Sequence, residues 1–523
     1  MKNHSGLGDN YWDRLDNAAK LVPAVSDSRG SNVFRVSAVL CSEVDPDILE
    51  KALSKALRFL PAFAVKLHRG LFWYYFDANR ETPPVREENA YPCSPIWKAS
   101  KERGFLFRLT YYHKRVNLEV FHALSDGMGT ARFLQLILLC YFSIIDGRDV
   151  PPEYISEYCD RVARDFDEDS FARHSGNSGA EYQKNPAKQK EPDAFHIQGF
   201  KYDDTRLGVL TANLPSDKML ELAHAHDATM SEYMCALIIY SIINTSYRRS
   251  MRSKPVVVSL PVNLRKMFGS TTMRNFFGHA SISVTPRGGM SFDEVLDEVK
   301  SRFDECLTKE YFEKQINANV GIERIGPVKF VPIWIKDLVM RLLFSRAEKK
   351  YTITFSNLGL MQFPESAADK LRRFEMLLGG SRTHPKKVTL CSYRNEMALT
   401  FTSTIDDNSL ERFLIRFLVS NGIEVTITSN ETPEPPVENK SERAERRRLE
   451  KAEKKSQKRS EKELKRLSKK SAKEAKKSAK KTAKEEKRSA KKQTKEAVRS
   501  AKKQAKQEKR SAKKSKKTKS DER

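Results

Sequence analysis

The chain has 523 residues, with 95 Lys and Arg against 68 Asp and Glu, a formal charge of +27. That charge is confined: from Ser441 to the end stand 37 basic and 13 acidic residues (+24), whereas the preceding 440 residues hold 58 and 55 (+3). A near-neutral body with a polycationic tail excludes a body built as a basic nucleic-acid groove, which needs excess Lys and Arg to meet phosphates. The body is long enough for two or three ordinary domains, or two lobes sharing an interface. Seven cysteines (Cys41, Cys93, Cys140, Cys159, Cys235, Cys306, Cys391) are odd in number and scattered, which argues for reduced thiols in the cytosol and against a disulfide framework or zinc site. The first residues lack a basic-then-apolar leader pattern, and the apolar run Phe133 to Ile145 is too short to span a bilayer. A cytoplasmic protein is expected.

In chain order, Val33 to Leu40 reads as a strand, and Asp45-Pro46-Asp47 opens a helix with Leu49, Leu53, Ala56 and Leu57 at helical spacing. Leu71 to Phe76 reads as an aromatic strand. Phe105 to Tyr112 and Val116 to Phe121 form a hairpin pattern, followed by a helix from about Met128 to Ile145. Between residues 165 and 204 Ser, Asn, Gly, Lys and Glu dominate without period, as in a linker. Beyond it come a strand Gly208 to Ala212, a helix from Ser216 and a helix from Thr229, where Thr229 and Glu232 make a capping-box signature. Val256 to Leu260 is a strand, and Ser291 with Glu294 marks a second capping box before a helix to about Leu307. Strands Thr352 to Phe355, Val388 to Tyr393 and Met397 to Thr404 precede a last helix, Leu410 to Val419, and the ordered body ends near Ser429.

The stretch Phe121-His122-Ala123-Leu124-Ser125-Asp126-Gly127-Met128-Gly129 fits His-x-x-x-Asp-Gly at a strand-to-helix junction. Val116, Leu118 and Val120 alternate with Asn117, Glu119 and Phe121, so continuing the period puts His122 on the apolar face. A neutral imidazole in a dry cavity can take a proton from a hydroxyl or amine, its unperturbed pKa being about 6.5. Asp126 sits at a helix start, where free N–H groups favour a carboxylate, and Gly127 and Gly129 permit a tight turn and close approach. The motif by itself leaves two readings open: a base, or a satisfied core histidine with Asp126 as a helix cap.

The motif resembles the histidine motif of the CoA-dependent acyltransferase superfamily, which includes chloramphenicol acetyltransferase, nonribosomal peptide condensation domains and alcohol acetyltransferases. Ser259-Leu260-Pro261-Val262-Asn263-Leu264-Arg265, followed by Arg274-Asn275-Phe276-Phe277-Gly278, is similar to that superfamily's arginine and Asn-x-x-Gly region. Tyr351 to Gly359, with Ser356-Asn357-Leu358-Gly359, resembles the Ser-Asn-Leu-Gly strand of its alcohol acetyltransferase branch, as do Arg14 to Lys20 and Gly70 to Phe76. The likeness covers about residues 10 to 430. No Asp-Phe-Gly-Trp-Gly segment is present, which argues against the plant branch, and no carrier-protein or adenylation domain is attached.

The resemblance implies a mixed α/β fold: two chloramphenicol-acetyltransferase-like α/β-sandwich lobes in a V, with a substrate tunnel between them. The lobes would be residues 1–170 and 206–430, joined by a linker at 171–205 and followed by a low-complexity tail at 431–523. His122 would be general base for direct attack of an alcohol on an acyl-CoA thioester, acetyl-CoA in the first instance, as co-substrate. Asp126 would be structural, pairing with Arg265, beside Gly127. Asn275 and Gly278 would support the loop. Ser356 and Asn357 are oxyanion candidates, or equally turn residues at a strand end, and Arg265 taken alone is also explained as a surface arginine. No bound cofactor or metal is implied, and a monomer is expected. Alternatives are a carrier-protein thioester with an amine acceptor, or a polyanion-binding protein on an inactive acyltransferase scaffold. His224, His226, His279 and His384 receive no site.

In the tail Ser-Ala-Lys recurs at Ser471, Ser478, Ser489, Ser500 and Ser511. Eleven residues are close to three helical turns, so the alanines form a thin stripe on a charged cylinder. The tail is either a solubilising extension or a nonspecific attachment to nucleic acid, anionic lipid or an envelope polymer. Without aromatics it has no base-stacking platform.

Overall fold

The computed structural model describes residues 12–97, 99–151, 154–155, 169–176, 192–202, 206–247, 254–324 and 330–430, with 494–495, 498–500 and 502 near the C-terminus. The chain divides into two compact units, Met1–Thr432 and Pro433–Arg523. Most of the tail, including the first three Ser-Ala-Lys repeats, lies outside the described residues, as do most of the linker and the first eleven residues.

The first unit is a mixed α/β body. Val33–Leu40 and Arg115–Phe121 pair antiparallel with Val33 opposite Phe121, and Phe107–Tyr112 continues the hairpin. Val85–Glu87 adds a short parallel edge. The other edge is completed by Leu371–Leu378, antiparallel to Val33–Leu40, giving a five-stranded sheet. Its apolar face is covered by two helices. Pro46–Phe59 begins where the Asp45 carboxylate accepts from the N–H groups of Asp47 and Ile48, both at 3.0 Å, with Pro46 in the first turn. Gly127–Ile145 is buried along nearly its whole length. By length and apolarity it meets the requirement for a membrane span, but 67% of that apolar window is buried inside the body, as expected of a central core helix.

The opposite face of this sheet is polar and also buried. Glu119 receives Arg35 at 2.7 Å and Arg108 at 2.9 Å from neighbouring strands. In the next row the Ser37 hydroxyl donates to Asn117 at 2.8 Å, and beyond it Glu375 accepts from Arg373 at 2.8 Å and pairs with Arg115 at 3.2 Å. Burial raises the Glu119 pKa, but the two guanidiniums outweigh that effect and hold its carboxyl below the ordinary range.

A second, seven-stranded sheet runs in the order Phe277–Val284, Val256–Asn263, Ile353–Leu360, Lys386–Tyr393, Glu396–Ser403, Gly208–Pro215, Thr426–Ser429. Met230–Thr245, Phe292–Cys306 and Ser409–Ser420 bury their apolar faces in its core. Both capping boxes form, Thr229 with Glu232 and Ser291 with Glu294. Trp12–Arg14, Tyr74–Ala78 and Val65–Arg69 make a small third sheet.

Several boundaries differ from those the sequence suggests. The strand expected at Leu71 to Phe76 is Tyr74–Ala78, because Gly70 N–H closes on Trp73 C=O at 2.9 Å and spends Leu71 to Trp73 on a turn. Val256–Asn263 runs on through Pro261; beyond Ser259 its pairing is with Phe277–Val284 alone, so a residue without N–H is tolerated there. Leu371–Leu378 was not legible as a strand, yet it ties the two sheets covalently. Phe374, 1% exposed, anchors it against Tyr393 with ring centroids 5.5 Å apart. Phe374→Ala is expected to lower the unfolding free energy by about 3–5 kcal/mol, read as a reduced midpoint in urea denaturation.

Candidate active site

His122 follows directly on the strand Arg115–Phe121. Its N–H donates to Asn32 C=O at 2.9 Å, which keeps the loop in line with the sheet. The ring lies 4.9 Å from Phe34 and 5.4 Å from Phe277 by centroids, on the side of the apolar strand face. His122 is enclosed by protein yet half-buried by area.

The loop is locked by Asp126. This carboxylate caps the helix Gly127–Ile145, accepting from Gly129 N–H at 2.9 Å, and also accepts from Phe276 N–H at 3.0 Å. It is gripped by both terminal nitrogens of Arg265, at 2.9 and 3.0 Å. Arg265 is itself 4% exposed and donates further to Thr272 C=O at 2.7 Å, Arg274 C=O at 2.6 Å and Asn263 Oδ1 at 3.1 Å. Two charges can remain buried here because nearly every donor and lone pair is used. The close approach explains Gly129: a Cβ would come within 2.2 Å of Ser125 Oγ and 2.3 Å of Met273 C=O. Ser125 Oγ meanwhile donates to that same carbonyl at 2.5 Å.

Asn275 reaches the histidine. Its Nδ2 can only donate, and it faces Asp16 Oδ2 at 3.0 Å; its Oδ1 therefore faces His122 Nδ1, also at 3.0 Å. The other Asp16 oxygen accepts from Ala19 N–H at 2.7 Å. Desolvation pushes Asp16 from 3.8 up to about 7, aided by the Asp169 charge and opposed by Ala19, Asn275 and Arg274. Arg274 pins the Asp16 segment by donating to Arg14 C=O at 2.6 Å and pairing with Asp13. Burial also pulls His122 below 6.5, against the raising influence of Asp126, so the imidazole is neutral near pH 7.

The remaining sequence candidates fall into place around this core. Gly278 has no room for a side chain, since a Cβ would meet Phe312 at 2.4 Å. Gly127 is covered by Leu358 and Met376, whose methyl carbons would stand 3.3 and 3.2 Å from a Cβ there, closer than an ordinary van der Waals contact. Among the described residues the hydrogen-bond acceptor of Ser356 Oγ is the Met376 thioether, 3.9 Å away. Asn357 is occupied at both ends, donating to Ser231 Oγ at 3.1 Å and accepting from Gly359 N–H at 2.8 Å. Sequence reasoning missed two residues. Asp16 lay within a quoted segment but carried no assigned role. His279 stacks edge-on with Phe277, bonds Ser259 Oγ at 3.2 Å and is driven to about 4 by burial and by His122. Separately, a cavity of about 470 Å³ opens beside Ser31, lined by Arg29, Lys201, Arg206 and Arg382. Among the described residues no cluster of three His, Cys, Asp or Glu has the arrangement of a metal site.

This architecture is the fold shared by condensation domains and CoA-dependent acyltransferases. Similar solved structures include the first condensation domain of the CDA synthetase, with 15% identity, TM-score 0.51, and 78% of this chain and 95% of that chain covered. TRI3 trichothecene 15-O-acetyltransferase from Fusarium sporotrichioides matches with 11% identity, TM-score 0.53 and coverage of 80% and 98%. Polyketide synthase associated protein 5 from Mycobacterium tuberculosis matches with 13% identity, TM-score 0.51 and coverage of 78% and 96%. At these identities the likeness is one of fold. No family model matches the sequence, and no curated protein does.

The ion pair makes a direct prediction. Removing one buried partner strands the other charge, so Asp126→Asn and Arg265→Gln should each cost about 3–5 kcal/mol. In a double-mutant cycle by urea denaturation the two losses should add to clearly more than the double variant shows.

Proposed function

We propose that the chain is an acyltransferase that moves an acyl group, acetyl in the first instance, from a CoA thioester to an alcohol, with His122 as general base. The observation that carries this reading is the placement of the imidazole: half-buried, and held through Nδ1 by an amide whose orientation a carboxylate fixes. With a proton on Nδ1, Nε2 is the bare nitrogen that accepts. The acceptor O–H gives its proton to Nε2 as its oxygen attacks the thioester carbonyl. The tetrahedral oxyanion collapses, the C–S bond breaks, and the proton passes from Nε2 to the departing thiolate. No acyl-enzyme is formed, and the cysteines take no part.

Asp126 and Arg265 hold the loop and touch no substrate. Asn275 and Asp16 act through His122 by selecting its tautomer. For the oxyanion, Ser356 is the better candidate: a thioether is a weak acceptor that a developing negative charge displaces, whereas Asn357 is committed to its turn. The basic cavity beside Ser31 supports a CoA donor, because four cations around one space suit a polyphosphate; Asn32, the next residue, holds the His122 backbone.

Purified protein with acetyl-CoA and a panel of alcohols and amines should release free thiol. His122→Ala should lower the rate by about 10²–10⁴-fold; equal thiol release from the variant would refute the role of His122. An amine preference across the panel would move the reading toward condensation chemistry.

Asp16 provides a test that a merely structural role fails. Its folded pKa of about 7 lies above the ordinary 3.8, so the native state holds an extra proton between those values. The stabilisation is therefore complete below pH 4 and is lost as pH rises through 7, by up to about 4 kcal/mol. Asp16→Asn removes that burden and should raise the melting temperature at pH 8 more than at pH 5. The same change puts an amide N–H₂ opposite Asn275, which turns it round and places a donor against His122 Nδ1. Nε2 then carries the proton, and kcat should fall at least tenfold in a protein that is no less stable. Parallel loss of activity and stability would instead make Asp16 a packing residue.

A further inference from the structure

The helix Ile333–Glu348 is amphipathic in the reverse sense for water. Its buried positions include Lys336 and Asp337, each 6% exposed. Its outer row is Trp334, Leu338 and Leu342, spaced four apart and 55–66% exposed, with Leu343 beside them and Phe330 and Leu71 next to the helix start, up to 75% exposed. Burying ions while exposing large apolar side chains opposes the usual driving force, and a contiguous apolar patch of this kind marks a contact surface. We propose that this face docks the protein on an anionic lipid bilayer.

The helix is firmly placed, so the face is no product of fraying. Lys336 Nζ lies 3.3 Å over the Trp73 ring and donates to Phe72 C=O at 3.0 Å. Asp337 accepts from Arg69 at 2.8 Å and from the Tyr74 hydroxyl at 3.1 Å, and Arg341 Nε donates to Ala24 C=O at 2.5 Å. Ile333 N–H donates to Leu71 C=O at 2.9 Å, tying the Leu71 turn to the helix start. These polar anchors on the underside fix which side points out.

Charge identifies the occupant. Both carboxylates of the helix are spent inward, Asp337 as described and Glu348 on Ser381 at 2.9 Å and Thr383 at 2.5 Å. Besides Arg341, which is anchored to Ala24, the exposed charges of the helix and its end are Arg346 and Lys349, both cationic. An interfacial helix with Trp and Leu on one face and Arg and Lys at its flanks lies flat in the headgroup region, where Trp prefers the boundary and basic side chains meet anionic phosphates. A second copy of the chain is less suited, because a two-fold contact would bring the same cations together. The chain's own tail is unsuited too: residues 441–523 have no aromatic and only Leu449, Leu464, Leu467 and Val498 as larger aliphatics. Membrane attachment through a marginal apolar surface is made stable by a second, polybasic signal, and the +24 tail supplies one.

The full-length chain should be floated with vesicles of phosphatidylcholine and with vesicles containing about 30% phosphatidylglycerol, at low salt and at about 0.5 M salt, where surface charges are screened. The wild-type chain should bind the anionic vesicles. Leu338→Glu/Leu342→Glu keeps the tail and should bind at least tenfold more weakly, its residual binding lost in high salt. In the unsubstituted chain, brominated lipid should quench tryptophan fluorescence, and Trp334→Phe should abolish most of that quenching, a readout independent of whether the double variant folds. Equal partitioning of wild type and double variant, or no quenching at Trp334, overturns the proposal. A wild-type dimer in light scattering that the double variant converts to monomer would assign the face to a second copy and equally overturn it.

Discussion

The buried pair of Asp126 and Arg265 is the constraint on which the rest of the body depends. One carboxylate caps the central helix of the first sheet, while the guanidinium that grips it gathers the turn Thr272 to Arg274 of the second half. Replacing such a pair by apolar groups would be no loss of stability in principle. What apolar groups cannot do is fix two backbones to within a hydrogen bond of one another. Phe276 N–H is held by the same carboxylate, and Asn275 is its neighbour in sequence, so the amide that meets His122 is positioned by the ion pair one residue away.

That arrangement separates stability from chemistry in an unusual place. Asp16 and Arg274 belong to a second polar tie between the halves, built from the N-terminal segment. It is costly, since a carboxyl is kept dry enough to titrate near neutrality. That carboxyl is held against its own burial penalty two hydrogen bonds from the imidazole of His122.

Much of this was legible in the sequence, for physical reasons. Helix caps are local, so Asp45, Thr229 with Glu232 and Ser291 with Glu294 announced their helices within four residues. The spacing from His122 to Asp126 to Gly127 spans a single strand-to-helix turn and could be read whole. Leu371–Leu378 could not, because Arg373 and Glu375 sit among its apolar residues and are buried by pairing with each other and with residues far away in sequence; alternation fails when polar residues are also inside. The place of Asp16 beside the candidate site was invisible for a related reason: its partner Asn275 is distant in the chain, and only the fold brings them together. The helix Ile333–Glu348 shows the opposite failure, an apolar pattern whose outward direction no periodicity reveals.

The strand Leu371–Leu378 also sets a clock. The sheet it completes begins with Val33–Leu40, whose outer edge stays open until the chain has grown by some 330 residues more. At ordinary synthesis rates of about 5–20 residues per second, that edge waits roughly 15–70 s. For that interval the unpaired N–H and C=O groups of that edge are a template for pairing with any other extended chain. The newborn protein is thus exposed to aggregation through that edge until most of its second half has been made.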